Sequence, residues 1–97
     1  MTVVTQEERL ALMRAENREF IMNADAWPRW PMLPMKKPRP EGGWPQLGAL
    51  LDTWKRTGTE PGFPIELIVY DDTGLRQQEI RTYATVDDIL NDGWIVD

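Results

Sequence analysis

The amino-acid sequence predicts an α+β fold: two helices plus a short C-terminal helix over a small antiparallel sheet, with a long Pro/Trp-rich extended segment at residues 25–43. Three observations predict it. Apolar residues recur at helical spacing in two parts of the chain, two short strand-like runs flank the turn sequence DDTG, and prolines crowd the stretch between the two helical parts. With 97 residues, the chain is expected to form one domain spanning residues 1–97.

The first helix is predicted over residues 5–24. Thr5 and Glu8 have the spacing of a capping box, in which both side chains satisfy backbone N–H groups of the first turn. The helix then carries an apolar stripe, interrupted at Asn17, that consists of Leu10, Met13, Phe20, Ile21 and Ala24. We expect this face to pack against the rest of the domain or against a second copy of the chain.

The segment 25–43 holds prolines at positions 28, 31, 34, 38 and 40, a density that argues against a regular helix or a central strand. The first three recur every third residue, which matches the three-residue turn of polyproline II. In that conformation Trp27, Trp30 and Leu33 share one edge. Two interpretations stay open: the tryptophans fill gaps in a small core, or the segment is an interaction surface. Residues 31–36 also fit the PxxPxK pattern of ligands for SH3-type grooves.

A second helix is predicted over residues 45–57. Pro45 suits a first helical turn, and apolar residues follow at i, i+3, i+4 and i+7, namely Leu47, Leu50, Leu51 and Trp54. Lys55 and Arg56 would then lie at the negative end of the helix dipole, with Gly58 as the C-cap.

The last third of the chain predicts a hairpin and a compact C-terminal motif. Residues 65–71 are rich in branched and aromatic side chains, and the turn follows at 71–74. The more polar residues 75–83 return as a strand that either lies at an edge or has one solvated face. A short helix with an apolar face then starts at the capping pair Thr85 and Asp88 and ends at Gly93. Trp94 takes the position that contacts the last helical turn, and residues 94–97 form a short strand or a packed tail.

The residue inventory argues against enzymes of the commonest kinds. The sequence has no Cys and no His, which excludes thiol nucleophiles, Ser-His triads and His-ligated zinc. The acidic pairs Asp71-Asp72 and Asp87-Asp88 lack calcium-loop spacing and fit a turn and a helix N-terminus. Gly42-Gly43 lacks the spacing and the preceding strand of a phosphate-binding loop. We therefore expect no enzyme, no catalytic residues, no metal site and no cofactor.

Charge is divided unequally along the chain. Residues 1–56 contain nine Lys or Arg against seven Asp or Glu, whereas residues 57–97 contain two against nine. The acidic half disfavours broad nucleic-acid binding because it repels phosphates, so a nucleic-acid partner is unlikely on the sequence alone.

The first functional hypothesis is a non-enzymatic protein-binding module that can also self-associate. Its candidate interaction residues are Trp27, Trp30, Met32 and Met35, with Lys36, Lys37 and Arg39 at the rim. The alternative is a nucleic-acid-associated regulator in which Lys36, Lys37 and Arg39 contact phosphates and the tryptophans stack on bases.

The chain is expected to be cytoplasmic. It has no apolar run near 18 residues, its first residues lack the apolar core of a signal peptide, and it has no cysteine for disulfides.

Two stretches, ENREFIMNADAWPRWPMLPMKK at residues 16–37 and YATVDDILNDGWIVD at residues 83–97, resemble the small accessory, non-structural proteins of actinobacterial phages. The features that carry the resemblance are the NREF helix leading into W-P-x-W-P-x-L-P-M-K and the closing G-W-[IV]-V-D. It implies a protein of the infected host cell's cytoplasm that acts by binding a host protein. No catalytic residues are carried over by this resemblance.

Overall fold

The computed structural model describes residues 5–52, 58 and 60–97. Within these residues the chain is an α+β fold with a five-stranded antiparallel sheet in the order β4-β3-β2-β1-β5. The elements, in chain order, are α1 Gln6–Met22, a 3-10 turn Ala24–Ala26, β1 Met32–Lys37, β2 Gln46–Leu51, β3 Ile65–Tyr70, β4 Gln77–Tyr83, α2 Val86–Asn91 and β5 Ile95–Val96.

Helix α1 begins as predicted, because the Thr5 hydroxyl accepts a hydrogen bond from the Glu8 N–H at 3.1 Å. Its apolar stripe is buried only near the C-terminal end, at Ile21, followed by Ala24. Leu10, by contrast, is 56 % exposed. The expected packing of this face within the domain is therefore found only where α1 meets the core.

The structure corrects the prediction that residues 25–43 contain no central strand. Met32–Lys37 is β1, which pairs with β2 on one side and with β5 on the other. The Pro34 carbonyl accepts a hydrogen bond from the Asp97 N–H at 3.1 Å, beyond the end of β5. Because the nitrogen and the carbonyl of a strand residue point to the same side, the N–H that proline lacks is not one that β2 requires. The side chains follow the period of two of a strand, not the period of three of polyproline II, so Leu33 and Met35 are buried.

The predicted helix at residues 45–57 is also wrong where the structure describes it, because Gln46–Leu51 is strand β2. The spacing of Leu47, Leu50 and Leu51 fits a helix, but the backbone of β2 pairs with β1 along one edge and with β3 along the other. Leu50 points into the core, and Leu47 and Leu51 point to the opposite face of the sheet, where they are partly exposed. Residues 53–57, on which the rest of that prediction falls, lie outside the described residues.

The hairpin and the C-terminal motif are confirmed. Strands β3 and β4 pair around the turn, where the Gly74 N–H donates to the Asp71 carbonyl. Helix α2 ends in a Schellman motif: the Gly93 N–H donates to Leu90 O at 3.0 Å and the Trp94 N–H to Ile89 O at 3.3 Å. Trp94 is fully buried, and the residues after it form β5.

The hydrophobic core lies on one face of the sheet, called the inner face here. Inward side chains of β1, β2 and β3 form one cluster with Ile21 of α1, with Trp94 and with the apolar face of α2. The opposite face, called the outer face, carries the alternate residues of the same strands. Ala49 on the outer face is buried by its neighbours yet does not belong to that cluster.

Both edges of the sheet are protected. At the β5 edge, the Asn17 side chain of α1 accepts the Val96 N–H at 2.7 Å. The asparagine that interrupts the stripe of α1 therefore satisfies the edge strand. At the β4 edge, a register shift leaves Gln78 without a partner on β3, and the inward-facing pair Glu79–Arg81 adds charge. Bulges and inward charges are devices that prevent further strands from pairing.

Candidate interaction surface

The predicted interaction residues separate into two groups, because most of the apolar ones face the core. Trp27 is only 4 % exposed, and its indole N–H donates at 3.1 Å to the Phe20 carbonyl at the end of α1, which also accepts the Asn23 N–H at 3.3 Å. Met35 is fully buried. Trp27 and Met35 therefore stabilise the fold and are not available to a partner.

Trp30 is half-buried against the core and is held by a buried carboxylate. Its indole N–H donates to Asp52 Oδ2 at 2.6 Å, while Asp52 Oδ1 accepts the Gly62 N–H at 3.0 Å. The Asp52 N–H in turn donates to the Pro31 carbonyl at 2.8 Å. This arrangement joins the segment before β1 to the end of β2 and to the segment before β3. Trp30 is thus a structural residue with one accessible edge.

The three cations of the predicted rim are each paired with a carboxylate of the acidic C-terminal half. Lys36 Nζ lies 3.6 Å from an Asp97 oxygen, Lys37 Nζ lies 3.5 Å from Asp92, and Arg39 donates to Asp72 at 2.8 Å. The side chains are partly exposed, so each pair contributes little to stability. These carboxylates neutralise the positive charge of Lys36, Lys37 and Arg39, which binding to a nucleic-acid phosphate backbone would require.

Lys37 belongs to a larger network centred on Asp92, the C-cap of α2. The Asp92 carboxylate also accepts hydrogen bonds from the Tyr83 hydroxyl at 2.5 Å and from Arg81 at 3.1 Å. These donors, the Tyr83 hydroxyl first, lower the pKa of Asp92 below its ordinary value. Burial, followed by the adjacent carboxylate, raises the pKa of Tyr83. The network connects β1, β4 and α2 across the inner face, and it is a structural tie because its charges satisfy one another.

The outer face presents an apolar row that crosses four strands. The strand register places Pro34, Ala49, Ile68 and Ile80 side by side, one from each of β1, β2, β3 and β4. Ile80 is 50 % exposed at the β4 end of the row. The rows on either side add further apolar side chains: Met32, Leu47, Leu51 and Tyr70. Met32, the exposed member of the predicted set, is 37 % exposed here.

At one end of the outer face the apolar surface continues into a groove of about 760 Å³. Leu47 and Pro45 of the β2 entry line it, together with the loop that holds Trp44 and the turn of the β3–β4 hairpin. Trp44 is 89 % exposed. The loop reverses through Gly42 and Gly43, whose φ angles of 84° and 86° are left-handed and favour glycine.

Sequence reasoning missed this surface for two reasons. The spacing of Leu47 and Leu51 predicts a helix, and Ile80 lies within a run of polar residues that predicts a strand at an edge or with one solvated face, without showing which face. The sequence of β4 did contain a signal for Ile80, because side chains alternate along a strand and Ile80 and Tyr83 must therefore point to opposite faces of the sheet. Trp44 follows two glycines, which places it at a loop tip and not in a core.

No family model, no curated protein and no solved structure matches this chain. Among the residues that the structure describes, no group of three carboxylates has the arrangement of a metal site. Within the same residues no helix is both long and apolar enough to cross a bilayer. The outer face and the groove beside it, called together the binding surface here, are therefore interpreted from their own chemistry.

Proposed function

We propose that this chain is a non-enzymatic protein-binding module whose binding surface is the outer face of the sheet and the adjoining groove. The observation that supports the proposal is the apolar row Pro34–Ala49–Ile68–Ile80. The row is exposed at its two ends, Pro34 and Ile80, and Trp44 is exposed in the adjoining groove. Exposed apolar and aromatic side chains grouped in this way are characteristic of interaction sites on small proteins.

The shape of the sheet favours contact through a face and not through an edge. The amide of Asn17 and the bulge at Gln78 obstruct pairing with an added strand at either side. A partner that packs side chains against the outer face needs no free backbone groups from this chain.

The resemblance to accessory proteins of actinobacterial phages supports a more specific form of the proposal. In that form the chain is made in the cytoplasm of the infected host cell and acts by binding a host protein. Pairing of two copies through their outer faces is a further proposal, since apolar sheet faces can pack on one another about 10 Å apart. The nucleic-acid alternative is disfavoured because Lys36, Lys37 and Arg39 already lie against carboxylates.

The test compares two variants that each place a carboxylate at an exposed apolar position. Ile80→Glu changes the outer face, and the control Leu12→Glu changes α1, where Leu12 is exposed to a similar extent at 58 %. Both variants are expected to fold, because large exposed side chains contribute little to stability. Affinity capture from an actinobacterial lysate, scored by mass spectrometry against both variants, should yield a partner that Ile80→Glu loses and Leu12→Glu retains.

Self-association is tested separately, by analytical ultracentrifugation of the purified wild-type chain. A concentration-dependent dimer that Ile80→Glu abolishes assigns the outer face to a second copy. Partners retained equally by both variants, together with a monomer at every concentration, would contradict the proposed binding surface.

A further inference from the structure

We infer that the groove beside Trp44 receives an arginine side chain of the partner, while the partner's apolar residues cover the outer face. This inference rests on the proposed function and specifies the chemistry of the partner at that same surface. The partner is a polypeptide segment that combines large apolar side chains with an arginine at one end.

The charge of the groove is complementary to a cation. The groove is lined by two cations, Lys36 and Arg39, and by four carboxylates, Glu41, Asp71, Asp72 and Asp97. Lys36 and Arg39 are each satisfied by one of these carboxylates, Asp97 and Asp72 respectively. The remaining charge is negative, so the groove attracts a cation and repels phosphates and acidic side chains.

The carboxylates of the groove differ in how available they are to a ligand. Among the described residues Glu41 has no ion-pair partner, and its side chain lies on the exposed loop that forms one wall of the groove. Asp71 is less available, because one of its oxygens accepts hydrogen bonds from the Thr73 N–H and hydroxyl and so organises the turn. Glu41 is therefore the anion that we assign to the incoming cation.

Trp44 supplies an aromatic surface in the same groove. Its indole lines the groove and is 89 % exposed, so one aromatic face is open to a ligand. A cation over an indole face is attracted by the ring quadrupole, and the planar guanidinium of arginine stacks on it as well as pairing with a carboxylate. A lysine can do only part of this, since its ammonium is a compact and strongly hydrated charge.

The outer face gives the partner its second requirement. The groove and the outer face share Leu47, whose Cδ1 would lie 3.2 Å from a Cβ atom built on Gly74 in the hairpin turn. A segment anchored by an arginine at Trp44 therefore lies next to Leu47 and continues over the row toward Ile68. An extended peptide with an arginine at one end and leucines at alternate positions beyond it matches this order, because alternate side chains point to the same face.

The test uses three synthetic probes: acetyl-RSLSL-amide, acetyl-KSLSL-amide and acetyl-ESLSL-amide. Each is titrated into the ¹⁵N-labelled full chain while the tryptophan indole N–H signals and the glycine amides are followed by NMR. We expect the arginine peptide to shift the Trp44 indole and the amides of Gly42, Gly43 and Gly74. Its affinity should exceed that of the glutamate peptide at least about tenfold and that of the lysine peptide about threefold.

Two variants locate the effect. Trp44→Ala and Glu41→Gln should each lower the affinity for the arginine peptide about fivefold. The matched charge change Glu7→Gln on α1 should leave that affinity unchanged. Equal affinity for the three peptides, or shifts confined to residues outside the groove, would overturn the inference. The absence of any shift at millimolar peptide would overturn it too.

The outcome is separable from that of the lysate capture. A captured partner that depends on Ile80, together with equal binding of the three peptides, would support the proposed function and contradict the arginine site. Arginine-dependent shifts at Trp44, together with no partner that depends on Ile80, would support the arginine site and contradict the outer face as the binding surface.

Discussion

Gly48 decides how closely the largest core side chain approaches the sheet. It lies on the inner face of β2, opposite Met35 of β1. A Cβ atom at this position would lie 2.9 Å from the Ile68 carbonyl oxygen and 3.0 Å from Cζ3 of Trp94. The carbonyl belongs to a neighbouring strand and cannot move without disturbing the pairing, so only a residue without a side chain fits beneath the indole.

The substitution Gly48→Ala should therefore destabilise the chain by about 1–3 kcal/mol, because the added methyl group overpacks the contact between β2 and Trp94. Urea denaturation measures the loss, and near-ultraviolet circular dichroism reports the displaced indole. The control is Gly43→Ala, where no atom lies within 4 Å of the added Cβ and only the left-handed φ is strained. A Gly48→Ala variant with wild-type stability and an unchanged tryptophan spectrum would show that Trp94 is not held this tightly.

Single elements show which parts of the fold the sequence can predict. Helix α1, the β3–β4 hairpin and the Gly93 motif were predicted correctly because each depends on local signals: a capping side chain, a turn sequence or a C-cap glycine. Strands β1 and β2 were not predicted, because their conformation is set by pairing with residues distant in sequence. Pro34 and the leucine spacing of β2 favour other structures locally, and tertiary pairing overrides them.

The candidate site follows the same division. The period of three of the prolines put Trp27 and Met35 on two different edges and left both among the candidate interaction residues. The strand period turns Met35 into the core, and Trp27 turns inward at the end of α1. The local signals for Ile80 and Trp44 do not show which face of the sheet lies opposite the core, so neither residue could be assigned to the site before the pairing of β2, β3 and β4 was known.

The role of Trp27 at the end of α1 gives a prediction at this scale. Trp27→Phe removes the indole N–H that donates to the Phe20 carbonyl and leaves a smaller ring in the core, so it should lower the free energy of unfolding by about 1–3 kcal/mol. Hydrogen exchange at the Asn23 and Trp27 amides should accelerate with it. The matched substitution Trp44→Phe at the exposed loop should change stability by less than about 0.5 kcal/mol. Equal losses in the two variants would contradict the core assignment of Trp27.

Across the whole molecule, the Asp92 network joins strands that are not neighbours. Lys37 belongs to β1 and Tyr83 to β4, with β2 and β3 between them, yet both contact one carboxylate at the end of α2. Since the pKa of Asp92 is lowered in the folded state, protonation favours the unfolded chain. Since the pKa of Tyr83 is raised, ionisation of the phenol also favours the unfolded chain.

These two directions predict how stability depends on pH. The contribution of Asp92 is complete above its ordinary pKa of 3.8 and is lost as the pH falls below that value. The contribution of Tyr83 is complete below its ordinary pKa of 10.0 and is lost as the pH rises above it. Urea denaturation from pH 2.5 to 11 should therefore give a plateau that declines at both ends.

Variants assign each decline to its group. Asp92→Asn should make the acid decline shallower without removing it, because the lowered pKa values of Asp71 and Glu79 act in the same direction. Tyr83→Phe should flatten the alkaline decline and lower the plateau, because the Asp92 carboxylate loses its hydrogen bond from the Tyr83 hydroxyl. An acid decline of unchanged slope in Asp92→Asn would show that the network does not couple to folding.

The protected edges have a consequence for how copies of this chain can accumulate. Assembly along a sheet edge is open-ended, because every added strand presents a new edge to the next copy. Asn17 at one side and the Gln78 bulge at the other deny that template to an incoming copy. The proposed contact between two outer faces would bury both of them and leave no equivalent surface exposed, so assembly would stop at a pair. A small protein with an apolar sheet face can in this way reach high concentration without growing into fibres.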